Sequence, residues 1–133
     1  MKTSRSKLKE ELDKVFSEYV RMKYADFRGV TACYTCGTPY HYKKIQAGHF
    51  QSRVKMSTRW NEKNVKPQCV RCNIFRAGES WKFGQVLDAE YGAGTAQKLY
   101  ILSNKIRKYS EAELEAMYEN YKRLRDELAR ELE

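Results

Sequence analysis

The chain has 133 residues, of which 41% are apolar and 13% aromatic. This length and composition suit one folded domain with extensions and exclude a disordered chain. No apolar run is long enough to span a bilayer, and the charged first residues contain no secretory signal. We therefore expect a cytoplasmic protein with no membrane partner.

The net charge of +9 is concentrated in the middle of the chain. Residues 29–82 contain ten Lys and Arg but only two Asp and Glu, whereas the flanking segments are nearly balanced. A basic segment of this kind is typical of a surface that binds nucleic acid, although it could serve only solubility. The candidate phosphate contacts are Arg53, Lys55, Arg59, Lys63, Lys66 and Arg71.

The first elements follow from the spacing of apolar residues. Helical spacing predicts an amphipathic helix over 5–25. Residues 30–73 lack this period and hold all four cysteines and both histidines, so we expect turns and short strands there. A short helix is predicted from Val70 to Phe75, ended near Gly78, and a further helix over 80–91.

Two more helices are predicted in the C-terminal part. Thr95 is the expected cap of a helix over 96–108, with Ile106 on its apolar side. Ser110 and Glu113 form a capping box at the start of the last helix. That helix carries an apolar stripe that either packs on its own domain or forms the seam of a homodimer. The stripe consists of Leu114, Met117, Tyr121, Leu124 and Leu128.

The cysteines form two Cys-x-x-Cys pairs, Cys33 with Cys36 and Cys69 with Cys72. Two such pairs can complete a tetrahedral Zn²⁺ site. The alternatives are disulfides, which a reducing compartment disfavours, or redox-active thiols. We predict a structural zinc. Four thiolates leave no open position on the ion, so catalysis would need other residues.

The residues between and after the pairs suggest hydrolytic chemistry. His49 and Asn64 lie between the pairs, and Asn73 follows the last cysteine. This order matches the layout of HNH, or ββα-metal, nucleases, with His49 on the first strand, Asn64 on the turn into the second strand and Asn73 on the helix. A neutral imidazole can deprotonate water. An Asn carbonyl can bind Mg²⁺ or Mn²⁺, and Asn64 can brace the backbone that carries the base.

A rival base is His41. We favour His49 because the preceding Gly48 permits close approach of the backbone.

The combined motifs resemble one family. They are Cys33-Tyr-Thr-Cys-Gly-Thr38, Ala47-Gly-His-Phe50, Arg59 to Val65, Gln68-Cys-Val-Arg-Cys-Asn73 and Gly78. This run is similar to the lambdoid-phage NinG (Rap) recombination nucleases, over roughly residues 8–128. The resemblance implies a structure-specific DNA endonuclease that nicks Holliday junctions and D-loops with Mg²⁺ or Mn²⁺. It would act in the host cytoplasm if the protein is phage-encoded.

The junction of Cys72 with Asn73 is also similar to the endonuclease VII type of junction resolvase, which is a zinc-stapled dimer. That likeness implies His49 as general base and Asn73 as ligand of the catalytic ion. Those nucleases place an acidic ligand immediately before the base or a few residues upstream. Here Gln46 and Gly48 occupy that region, and no Asp or Glu lies between Asp26 and Glu62.

The predicted fold is α+β and mainly helical, with a zinc-stapled ββα-metal (HNH) core over 29–92. An amphipathic helix (1–28) precedes the core, and helices that could mediate dimerisation (93–133) follow it. The expected function is nicking of branched DNA. The rival functions are a non-catalytic zinc-stapled DNA-binding accessory module for recombination and, less favoured, a protein-interaction adaptor.

Overall fold

A computed structural model describes residues 4–132. The helices and strands in chain order are α1 (Ser4–Lys23), β1 (Val30–Ala32), β2 (Pro39–His41), β3 (Gln46–His49), α2 (Met56–Arg59), β4 (Val65–Gln68), α3 (Ser80–Tyr91), α4 (Thr95–Ser103) and α5 (Glu111–Ala129). Single helical turns occupy Tyr42–Lys44 and Arg71–Phe75. This confirms the predicted α+β, mainly helical class. Within the described range, no helix is both long and apolar enough to cross a membrane.

The long first and last helices pack against each other. Helix α1 buries Leu12 and Phe16 completely or nearly so, and α5 buries Leu114 beside them. The ring of Tyr121 meets the ring of Phe16 edge-on, with 4.8 Å between centroids. The whole apolar stripe of α5 belongs to this cluster. The stripe therefore packs on α1 within the chain.

Two short antiparallel hairpins lie between these helices. Strand β1 pairs with β2, with Val30 opposite His41. Strand β3 pairs with β4, with Gln46 opposite Gln68 and His49 opposite Val65. Every residue of β4 is buried. The second hairpin packs on α1 through Ala47 and Val65.

The prediction for α4 was wrong at both ends. Thr95 is the first residue of the helix, and its hydroxyl donates to the Gly92 carbonyl at 2.7 Å instead of capping the helix. The helix ends at Ser103, and Ile106 is 90% exposed. The reason is that the buried side of α4 is complete at Leu99 and Ser103, after which nothing holds a further turn against the core. The capping box of α5 is confirmed by reciprocal hydrogen bonds of 3.1 Å between Ser110 and Glu113.

Candidate metal centre and histidine site

The four cysteines converge on one point. Their sulfur atoms all lie within 4.8 Å of one another, and those of Cys36 and Cys69 are 3.8 Å apart. Four sulfurs at about 2.3 Å from a tetrahedral Zn²⁺ would be about 3.8 Å apart. All four are free thiols, and three are buried. The cluster therefore fits a structural zinc ion.

The local backbone explains this convergence. Cys33 follows β1 and Cys69 follows β4, so the two hairpins deliver one pair each. The Gly37 N–H donates to the Cys33 carbonyl at 2.8 Å, and Gly37 has a φ of +77°, which suits glycine. The Cys69 N–H donates to the Cys33 sulfur at 3.3 Å. The second of these bonds joins the two pairs directly.

The β3–β4 hairpin separates two polar sites. Side chains alternate between the faces of a strand, so Ala47 and His49 share one face, and Gln46 and Gly48 share the other. Ala47 packs towards α1. The histidine face borders a cavity of about 190 Å³, lined by Asp13, Phe16, Ser17, Ala47, His49, Arg53 and Val65.

His49 is held as a neutral base. Its Nε2 lies 3.0 Å from the Arg59 carbonyl oxygen. A carbonyl only accepts hydrogen bonds, so Nε2 carries the proton and Nδ1 keeps its lone pair. Burial lowers the pKa of His49 below its ordinary 6.5, although the hydrogen bond to Arg59 and the charge of Asp13 oppose this shift. The imidazole is therefore neutral at pH 7.

Asp13 of α1 is a site residue that the sequence did not reveal. Its carboxylate accepts two hydrogen bonds from Arg59, at 3.0 and 2.5 Å, and one from the Trp60 indole at 2.9 Å. It thereby fixes the segment whose carbonyl holds His49. The only sequence signal was an acidic residue directly after the buried Leu12 on an amphipathic helix.

Asn64 connects both ends of the loop between β3 and β4. Its side-chain oxygen accepts from the Gln51 N–H at 2.8 Å. Its amide group donates to the carbonyls of Gln51 at 3.0 Å and Thr58 at 3.1 Å. The side chain is completely buried. These contacts are those that a bracing role requires, because they fix the backbone two residues after His49 and directly before Arg59.

Asn73 lies near the opposite face of the hairpin and has no described contact with His49. Its amide group donates to the Gln46 side-chain oxygen at 2.8 Å, which leaves the Asn73 oxygen free to accept. A Cβ at Gly48 would lie 2.0 Å from the Gln68 side-chain oxygen. Gln68 is anchored to the Gly78 carbonyl at 2.7 Å. An acidic side chain therefore cannot be accommodated at position 48 without displacing Gln68.

Four of the six predicted phosphate contacts are exposed: Arg53, Lys55, Lys63 and Arg71. Arg59 is largely covered, with 16% of its side chain exposed, because it pairs with Asp13. Arg71 lies beside Cys36, whose sulfur raises the pKa of the guanidinium.

The prediction that Lys66 contacts phosphate was wrong. Its side chain is 0% exposed, because β4 lies inside the molecule. The ammonium donates to the hydroxyls of Tyr24 and Tyr91 and lies 3.6 Å from Glu90. It also lies 5.4 Å from the ring centre of Tyr34. A phosphate cannot reach this cation.

His41, the rival base, has a structural role. Its Nδ1 accepts a hydrogen bond from the Lys43 N–H at 3.2 Å, which caps the turn after β2. A Cβ at Gly29 would lie 2.5 Å from its Nε2. The ring is therefore packed against backbone.

We expect the purified protein to hold one tightly bound Zn²⁺ per chain, measured by elemental analysis. Cys72→Ser should lose the ion, and the free energy of unfolding should fall by at least about 5 kcal/mol, because binding of a structural zinc contributes directly to folding. Retention of zinc by this variant, or loss of zinc without loss of stability, would contradict the assignment.

The comparisons with known proteins identify one family. The model of the family described as "Bacteriophage Lambda NinG protein" matches residues 1–131. Neither a curated protein nor a solved structure matches the chain. Since the match covers all but the last two positions of the 133-residue sequence, the chain belongs to the NinG family of phage proteins.

Proposed function

We propose that this protein is a DNA endonuclease of the HNH type that nicks branched recombination intermediates, such as Holliday junctions and D-loops. The observation that carries the proposal is the state of His49. A neutral imidazole whose Nδ1 keeps its lone pair lies on the β3–β4 hairpin beside a cavity that Asp13 and Arg53 also line. Membership of the NinG family agrees with a role in phage recombination.

In the proposed reaction, His49 removes a proton from water through Nδ1, and the resulting hydroxide attacks the scissile phosphate. The hydrogen bond from Nε2 to the Arg59 carbonyl keeps the ring in the productive tautomer and stabilises it as it becomes charged. Asn64 holds the loop so that the distance between base and phosphate is fixed.

Gln46 and Asn73 offer two amide oxygens that would hold Mg²⁺ or Mn²⁺, which prefer oxygen ligands. Because this pair lies near the hairpin face opposite His49, such an ion, when bound, would supply positive charge to the phosphate and the leaving oxygen only where the scissile strand passes the edge of the hairpin between the two sites. No carboxylate is in contact with this pair among the described residues, so substrate oxygens and water would complete the ligand set.

The exposed cations near the site would bind the phosphates of DNA. Arg53 lines the His49 cavity, and its side chain is 65% exposed. Lys55 and Lys63 are exposed on the neighbouring loop. Contacts of this kind are to phosphate, so binding would depend on salt and little on sequence.

A second candidate is a non-catalytic zinc module that binds branched DNA. The observation that favours it is the neutral character of the Gln46 and Asn73 pair, because Mg²⁺ sites in proteins usually include a carboxylate. The free Nδ1 of His49 favours the nuclease.

Nicking of a labelled four-way junction distinguishes the two. We expect cutting with Mg²⁺ or Mn²⁺ that falls by at least about 100-fold in His49→Ala, since a positioned base contributes 10²- to 10⁴-fold. The matched control is His41→Ala, which should cut nearly as well as the native protein. Binding without cutting in either metal would establish the accessory module instead.

Asp13→Asn should slow cutting by roughly 10- to 100-fold, because Arg59 loses its ionic partner and the carbonyl that holds His49 becomes mobile. The charge of Asp13 raises the pKa of His49. Its removal should therefore move the acid limb of the pH–rate profile to lower pH.

The control is Asp126→Asn, which removes an exposed carboxylate on α5. Unchanged cutting in Asp13→Asn, or an acid limb displaced to higher pH, would show that Asp13 does not position the base.

A further inference from the structure

A second surface combines exposed aromatic and basic side chains. Phe75 and Trp81 are each 80% exposed, and Ile74 is 58% exposed, although large apolar side chains normally lie inside a protein. They lie on the helical turn after Cys72 and on the first turn of α3. We call residues 71–82 the knuckle surface.

The charge of the knuckle surface indicates what binds it. Arg71, Arg76 and Lys82 are exposed there. The carboxylate of Glu79 is the one acidic group in the segment and lies 3.8 Å from Arg76. The cores of protein–protein interfaces are depleted in charge, whereas aromatic side chains beside cations are typical of surfaces that bind single-stranded nucleic acid.

The backbone of the knuckle surface is fixed. The Gly78 N–H donates to the Cys72 carbonyl at 2.8 Å, and the Glu79 N–H donates to the Arg76 carbonyl at 3.1 Å. The buried Gln68 side chain holds the Gly78 carbonyl at 2.7 Å. Phe75 and Trp81 therefore flank a turn that is hydrogen-bonded to Cys72, and this fixed backbone keeps both side chains exposed.

An open groove of about 250 Å³ lies beside the Trp81 ring. Its lining includes Phe50 and Gly84, and a Cβ at Gly84 would lie only 3.4 Å from the Phe50 ring. A groove with Phe50 and the exposed Trp81 in its lining suits the face of a planar, partly apolar ligand. The groove is lined by Phe50, Ser80, Trp81, Gly84, Gln85, Asp88 and Ala96.

We infer that the knuckle surface binds unpaired DNA bases. One base stacks on Trp81 in the groove and a neighbouring base stacks on Phe75, while Arg76 and Lys82 contact the phosphates between them. This surface would give preference for branch points, where bases are unpaired. The inference rests on the DNA-binding part of the proposed function and is independent of hydrolysis.

The test is binding of a fluorescently labelled oligo-dT to the zinc-loaded full chain without added Mg²⁺ or Mn²⁺. We expect Trp81→Ala and Phe75→Ala each to weaken binding by about 5- to 100-fold, as found when a stacking side chain is removed. Binding of a duplex of equal length should change by less than about threefold, because phosphate contacts dominate it. Oligo-dT should also quench the emission of the native protein through Trp81, since Trp60 is only 5% exposed.

Phe27→Ala is the matched control, because Phe27 is 71% exposed, lies beside the Asp26–Arg28 ion pair, and has no described contact with residues 71–82. It should bind oligo-dT like the native protein. Native-like binding by the Trp81 and Phe75 variants, or equal losses for duplex and oligo-dT, would overturn the inference. A protein that binds oligo-dT in this way but never cuts a junction would retain this inference and lose only the proposed catalysis.

Discussion

The convergence of four cysteine sulfurs is the constraint on which the site depends. Cys33 follows β1 and Cys69 follows β4, so one cluster fixes both hairpins relative to each other. A two-stranded hairpin with strands of four residues has little stability alone. Because the cysteine cluster fixes one end of the β3–β4 hairpin, the polar groups on both of its faces are held in fixed positions.

Helix α1 provides the second support of that frame. It covers the hairpin face that carries His49, packs along α5, and contributes Asp13 to the segment that holds the imidazole. The base is therefore held from three directions: by its own strand, by the Arg59 carbonyl and, through Arg59, by Asp13. A catalytic group needs such support, because small displacements of a base reduce the rate strongly.

The parts of the fold that depend on local chemistry could be predicted from the sequence. The capping box at Ser110 and the span of α3 follow from neighbouring residues. The Cys-x-x-Cys spacing of the two cysteine pairs predicts a shared metal site. The end of α4 could not be predicted, because Ile106 continues the helical period although no core remains for it to pack against. Periodicity alone does not show where the core ends.

The contacts within the candidate site were harder to predict because they join distant segments. Asp13 is separated from Trp60 by 47 positions, and the sequence around Asp13 does not predict this contact. Lys66 was misassigned because a lysine in a basic segment is normally exposed, whereas β4 lies inside and encloses the ammonium among tyrosines. Gly48 was expected to allow close approach, but the group that approaches it is the side chain of Gln68.

The proposed nuclease depends on His49 being a neutral base with its proton on Nε2. The most direct test is nitrogen NMR of the two imidazole rings across a pH titration, with His41→Gln used to assign the signals. We expect His49 to be in the Nε2–H tautomer at pH 7, with a pKa below 6.5. An Nδ1–H tautomer, or an imidazole that is charged at pH 7, would contradict it.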